Sequence, residues 1–163
     1  MTRIGLISDT HSYLDQTVFE HFKNCDEIWH AGDFGTFELA RELNNFKPLK
    51  GVYGNIDNLD IRAVYPEDLF FTCEQVNVFI RHIGGYPGRY APGVKDLITN
   101  NNCQLFISGH SHILKVMYDE KLNCLHMNPG AAGRQGWHKV RTLIRFVIDG
   151  KEMKSCEVIE LSN

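Results

Sequence analysis

Residues 3–11 read Arg-Ile-Gly-Leu-Ile-Ser-Asp-Thr-His, a short apolar run stopped by a carboxylate and an imidazole. The run is far shorter than the roughly 20 residues that span a bilayer, and Asp9 ends it too early for a signal peptide. It reads as a buried strand whose end carries polar groups. The same form recurs at 27–31, 48–53, 69–72, 76–81 and 104–108, each an apolar stretch with a polar or glycine-bearing stop. Helical patterns lie between several of these. Val18, Phe19 and Phe22 share a face, as do Phe37, Ala40 and Leu43, and Val94, Leu97 and Ile98 follow Pro92 at a helix start. Strands alternating with helices predict an α/β core with strand crossovers.

The last third changes character. Residues 115–118, 123–128, 140–148 and 153–161 are strand-like with no helix between them, and Asp149-Gly150 signals a tight hairpin joining the final pair. These patterns predict two packed β-sheets with helices outside, in a single domain over residues 1–163 without repeats or a linker.

Composition agrees with an ordinary globular chain. The 163 residues are 43% hydrophobic and 23% charged, enough for a core that needs no disulfide or structural zinc. The five cysteines, Cys25, Cys73, Cys103, Cys124 and Cys156, are scattered and form no Cys-x-x-Cys pair. A cytoplasmic location with reduced thiols is expected. A net charge of −3 without a stripe of Lys and Arg argues against extended nucleic acid as a partner.

Five predicted strands end in short polar segments: Asp9-Thr-His11, Gly32-Asp33, Gly54-Asn55, His82 and Gly109-His-Ser-His112. In α/β sheets ligands bind beyond the carboxyl ends of strands, so these segments are expected to converge on one crevice. Asp9 with His11, and His110 with His112, are spaced i, i+2, which in extended backbone puts both side chains on one face. Oxygen and imidazole donors without a thiolate suit Mn, Fe, Zn, Ni or Co. Asp33, with two oxygens, can serve neighbouring cations about 3.5 to 4 Å apart.

Together these residues resemble the calcineurin-like metallophosphoesterase superfamily, whose Asp-x-His, Gly-Asp, Gly-Asn-x-Asp, His and Gly-His-x-His pieces occur here in order across residues 9–112. The short chain and the Asn128-Pro-Gly130 turn resemble its small bacterial and archaeal phosphodiesterases. The resemblance implies a four-layer αββα sandwich of two mixed β-sheets with flanking helices. It implies two divalent metal ions, most simply manganese, with Asp9, His11 and His112 on the first, Asn55, His82 and His110 on the second, and Asp33 bridging. A hydroxide between the ions would be the nucleophile, and Asp33, Asn55, His110 and Asp57 form the catalytic set. The implied activity is hydrolysis of a small phosphate ester, a diester foremost, with no membrane partner and a homo-oligomer left open.

Two positions depart from the pattern. Ile56 stands between Asn55 and Asp57 where larger phosphatases of the superfamily carry a histidine that assists the leaving group, which frees Asp57 to cap the following turn. His82 is followed by Ile83 and Gly84-Gly85 where relatives place glycine directly, and His126 is the alternative ligand. His30 reads equally as a group hydrogen-bonding a ligand or as a satisfied strand histidine; His21 and His138 read as surface or structural. Arg62, Arg89 and Arg134 could contact a phosphate through the guanidinium fork but read first as solvated, and Phe34, Tyr86, Tyr90 and Trp137 could line a substrate pocket but read first as core or rim packing.

Other chemistries fit less well. Asp33-Phe-Gly35 spells the kinase magnesium motif without a His-Arg-Asp loop. Metallo-β-lactamases would follow His110-Ser-His112 with Asp-His, whereas Ile113-Leu114 stands here. The alternative from another class is a non-catalytic protein-binding scaffold of the same fold, like the retromer subunit that resembles these enzymes. That relative has lost metal-site histidines, and this chain keeps every expected donor type.

Overall fold

A computed structural model describes residues 1–162. In chain order its strands are β1 (Thr2–Ile7), β2 (Glu27–His30), β3 (Leu49–Gly51), β4 (Asp68–Cys73), β5 (Val76–Arg81), β6 (Gly85–Tyr86), β7 (Arg89–Tyr90), β8 (Leu105–Ile107), β9 (Lys115–Asp119), β10 (Cys124–Asn128), β11 (Arg141–Asp149) and β12 (Glu152–Leu161). The helices are α1 (Thr17–His21), α2 (Phe37–Phe46), α3 (Leu59–Arg62) and α4 (Val94–Asn100). One sheet has the order β12-β11-β1-β2-β3 and the other β4-β5-β8-β10-β9. In the first, β1, β2 and β3 run parallel on one side and β11 and β12 pair antiparallel on the other; in the second, parallel β5, β8 and β10 are flanked by antiparallel β4 and β9.

Strand alternation explains the layering. Ile4, Leu6 and Trp29 of the first sheet meet Val78, Ile80, Leu105, Ile107 and Met127 of the second in one buried cluster. Their neighbours Ile7 and Ile28 face the other way, onto Val18, Leu39, Leu43 and Ile61 of α1, α2 and α3. Phe79 and Phe106 point out of the second sheet onto Val94 and Ile98 of α4. Each inner strand is apolar on both faces because it is covered on both, which is why these strands read as continuous apolar runs. The result is the expected αββα sandwich of two mixed sheets. Among the described residues no helix is long and apolar enough to cross a membrane.

The final hairpin sits one residue later than the Asp149-Gly150 signal suggests. Asp149 pairs with Glu152, so Gly150 and Lys151 form the loop, with Gly150 at φ +61°. Two features were illegible in the periodicity because they are too short to show one: four-residue α3 and the two-residue strands β6 and β7. That small hairpin grows directly from the irregular Ile83-Gly84-Gly85 segment after His82.

Candidate metal centre

Parallel strands β1, β2 and β3, and likewise β5 and β8, deliver their carboxyl ends to one edge of the sandwich. Beyond those ends the backbone is strained. Asp9, His11, Asp33, His110 and His112 all have left-handed φ, between +44° and +71°. They make up five of the ten non-glycine residues in that region among those described. Left-handed backbone costs an L-residue roughly 1–2 kcal/mol, and such strain clusters at functional sites. The i, i+2 pairs therefore meet through paired left-handed kinks, since the strands end before them and no extended backbone carries them.

Hydrogen bonds between loops fix the kinks. Asp9 N–H donates to Gly32 O at 3.0 Å, His11 N–H to Asp33 O at 3.0 Å and Ser12 N–H to Phe34 O at 2.8 Å, so the loops after β1 and β2 run side by side. Two glycines permit the close approach. A Cβ on Gly32, at φ +104°, would lie 2.6 Å from His82 Nδ1, and one on Gly54 would lie 2.0 Å from Asp33 Oδ1. Any side chain there would displace a donor.

The donors converge in two groups, Asp9 with His11 and His112, and Asp33 with His82 and His110, each with its ligand atoms within 4.8 Å of one another. Asn55 Oδ1 joins the second group, 3.1 Å from His110 Nδ1. Asp33 Oδ2 stands between the groups, 3.4 Å from His11 Nε2 and 3.1 Å from His82 Nε2. Asp9 Oδ1 lies 3.2 Å from His112 Nε2 and 3.7 Å from both His11 Nε2 and His82 Nε2. Burial here leaves polar atoms without partners. Asp9 Oδ1, His11 Nε2 and His82 Nε2 are buried and make no hydrogen bond. A buried polar atom left unpaired costs about 1–3 kcal/mol, so three facing one space form a cradle that a cation would satisfy.

Electrostatics describe the same space. Burial alone would raise the Asp9 carboxyl, but the neighbouring imidazoles of His11, His112 and His82 and the hydrogen bond from Ser8 hold it well below the usual carboxylate range. Asp33 follows the same pattern, burial being outweighed by His11, His82 and the Ile56 N–H. His11 is pushed up to about 9, first by its contact with Asp33 and then with Asp9. Burial works against a charge on His82, yet Asp33 and Asp9 raise it as well. Two anions thus make the cradle favourable to positive charge.

Residues 2–151 match the calcineurin-like phosphoesterase superfamily domain. This chain belongs to that superfamily. A probable metallophosphoesterase of Methanothermobacter thermautotrophicus is 30% identical over 133 residues, covering 78% of this chain and 76% of the relative. A predicted phosphoesterase of Streptococcus pneumoniae superposes with a TM-score of 0.74 at 20% identity, over 98% of this chain and 89% of that one. Vps29 of Chaetomium thermophilum gives 0.78 at 15% identity, over 99% of this chain and 97% of its own. At such identities the two structures speak for the fold alone.

Around the donors of this calcineurin-like superfamily member lies a ring of supporting contacts. Asp57 is buried, and its carboxylate accepts from Phe34 N–H at 3.2 Å, Gly35 N–H at 2.9 Å and Gly54 N–H at 2.8 Å. Both its oxygens are thereby occupied in tying the Asp33 loop to the Asn55 loop, which makes it a positioning residue. Asn128 does the same for the last loop, donating to Gly109 O and Ser111 Oγ, each at 3.1 Å, while accepting from Gly130 N–H at 2.9 Å. Arg62 is engaged, with Nε donating to Asp57 O at 2.7 Å and the guanidinium 4.4 Å from the Tyr53 ring centroid.

His30 touches no donor side chain; it takes Gly32 N–H on Nδ1, bonds Thr10 Oγ1 through Nε2 and stacks on Phe34. Burial drops it to about 3, so it stays neutral, the satisfied strand histidine of the two expectations. His126, the alternative to His82, belongs to neither donor group; its Nδ1 lies 3.1 Å from Phe106 O on the outer face of the second sheet.

His138 is the residue that sequence reasoning passed over. Its Nε2 lies 2.8 Å from Gly133 O, which can only accept, so that nitrogen carries the proton and Nδ1 is left with a lone pair. His112 Nδ1, 3.2 Å away, is then the donor, and His112 Nε2 faces Asp9 as an acceptor free to ligate. His82 is oriented likewise, its Nδ1 2.7 Å from Ala31 O. Outer partners of this type typically contribute 10- to 100-fold to metal affinity. His138→Ala is accordingly expected to weaken manganese binding by about that factor in a calorimetric titration, and His138→Gln to recover part of it. No local signal marks this histidine, because the loop that carries it reaches His112 only in the folded chain.

Proposed function

We propose that this chain hydrolyses small phosphate esters, diesters foremost, with two divalent cations, most simply manganese. Asp9, His11 and His112 would hold one cation and Asn55, His82 and His110 the other, with Asp33 shared. The observation that carries this reading is the pair of donor groups abutting at Asp33 with three orphaned polar atoms between them. Bound there, divalent cations supply Lewis acidity, lowering the pKa of water from about 15.7 toward 7 and drawing charge from phosphoryl oxygens.

The protein's own part is positioning. Asp9 is kept ionised and held by Ser8 Oγ at 2.7 Å and His110 N–H at 3.1 Å. Asp33 is fixed by the Ile56 N–H at 3.0 Å. The clamps at Asp57 and Asn128 hold four loops in one register, so the donors need no reorganisation at the moment of reaction.

Ile56 supplies only a backbone donor, its side chain being half exposed and apolar. No imidazole stands there to protonate a leaving oxygen, and such an acid typically contributes 10² to 10⁴ in rate. Turnover is therefore expected to fall steeply as the leaving group becomes more basic. The check is kcat across p-nitrophenyl, phenyl and methyl esters of one phosphate; equal rates would contradict it.

The activity itself is tested with manganese-loaded protein on bis(p-nitrophenyl) phosphate. Chelator-sensitive cleavage that returns on manganese addition is the expected result. A protein that binds no metal and cleaves nothing would favour the protein-binding scaffold instead.

A further inference from the structure

The segment after His82 that departs from the family pattern builds something. Gly84 and Gly85 lead into the β6–β7 hairpin, where Tyr86 pairs with Arg89. The hairpin walls a cavity of about 240 Å³ that reaches His110 and Ser111 of the donor loop. Ile83, Ile113 and Tyr86 give it apolar sides. Its only formal charges are Arg89 and Lys115, and no carboxylate lines it, although the chain as a whole carries −3. Among the described residues Arg89 has no ion-pair or side-chain hydrogen-bond partner, and Lys115 Nζ rests 3.7 Å from the Tyr86 ring centroid with no carboxylate partner. Ser111 Oγ already accepts from Ile113 N–H at 3.2 Å and from Asn128 Nδ2 at 3.1 Å, so its own hydrogen is the part available to a ligand.

We infer that this cavity is a specificity subsite for a second phosphate carried on one ester arm of the substrate, bound by Arg89 and Lys115. The inference rests on the phosphoesterase reading, because His110 is shared between the cavity and the candidate metal centre. Two unpaired cations beside apolar walls fit an organic arm ending in a phosphate: the guanidinium fork matches phosphate oxygens and the ammonium adds a point charge. A neutral or cationic arm would leave both charges uncompensated, so the substrate class is an organic phosphodiester bearing a further phosphate monoester, as in a terminally phosphorylated nucleotide.

The test compares thymidine 5′-(p-nitrophenyl phosphate) with and without a 3′-phosphate, both releasing p-nitrophenol. The wild-type protein is expected to favour the 3′-phosphorylated ester at least tenfold in kcat/KM. Arg89→Ala with Lys115→Met should bring the ratio of the two substrates to about one, and Arg89→Glu should invert it. Equal kcat/KM in the wild type overturns the subsite while leaving the phosphoesterase reading intact. Calorimetric titration with thymidine 3′,5′-bisphosphate gives a readout independent of turnover. An affinity loss of at least tenfold in the double variant supports the subsite even where hydrolysis fails, and an unchanged Kd overturns it.

Discussion

Asp33→Ala is expected to remove more than 100-fold of the manganese-dependent phosphodiesterase activity. Asp33 Oδ2 is the one carboxylate oxygen within 3.4 Å of donors from both groups, and Oδ1 accepts from Ile56 N–H, so the side chain both joins the groups and fixes the Asn55 loop. Alanine deletes the junction and leaves His11 and His82 facing a single anion. Loss of an outer partner costs 10- to 100-fold, and loss of the shared donor is expected to exceed that range. Asp33→Asn keeps the shape and the Ile56 contact but removes the charge, and should retain the fold while losing most of the metal affinity. Circular dichroism with metal analysis separates loss of site from loss of structure. Full activity in purified Asp33→Ala would sink the assignment, or reveal a contaminating enzyme.

The second large effect is on stability and falls at Asp57. Its carboxylate accepts three backbone N–H groups that have no other use in the loops after β2 and β3. Hydrogen bonds to a charged group contribute about 1.5–3 kcal/mol each, and alanine would strand three donors. The contacts share one side chain and are not additive, so a loss of about 3–5 kcal/mol is expected for Asp57→Ala. For a chain of this length each kcal/mol shifts Tm by roughly 2–4 °C, giving a drop of about 6–20 °C by calorimetry. Asp57→Asn retains one accepting oxygen and should fall between. Manganese affinity should decline along with Tm, because the released loops carry Asp33 and Asn55. A Tm within 2 °C of wild type would contradict the clamp.

Much of this was readable before the fold was known. Strands buried on both faces announce themselves as apolar runs, and an α/β sheet places whatever follows them at one edge, so Asp9, Asp33, Asn55, His82 and the pair His110 and His112 could be gathered from positions alone. The manner of their meeting could not. Left-handed backbone at five of the donors is held by bonds between loops, such as Asp9 N–H to Gly32 O, that join residues 23 apart in the chain. For the same reason Asp57 and Asn128 look like turn residues in the sequence, and their clamping roles emerge only when three or four loops are packed together. His138 lies on a loop and Arg89 on two-residue β7, both with neighbours set by tertiary contacts, and Arg89 in particular reads as one more solvated arginine until the β6–β7 hairpin places it on a cavity wall.

Whether seven donors enclose two cations is decided by anomalous diffraction from crystals soaked in manganese. Two peaks about 3.5–4 Å apart are predicted, one against Asp9, His11 and His112 and the other against Asn55, His82 and His110, with Asp33 touching both. Crystals that take up manganese with no anomalous density among these side chains would contradict it.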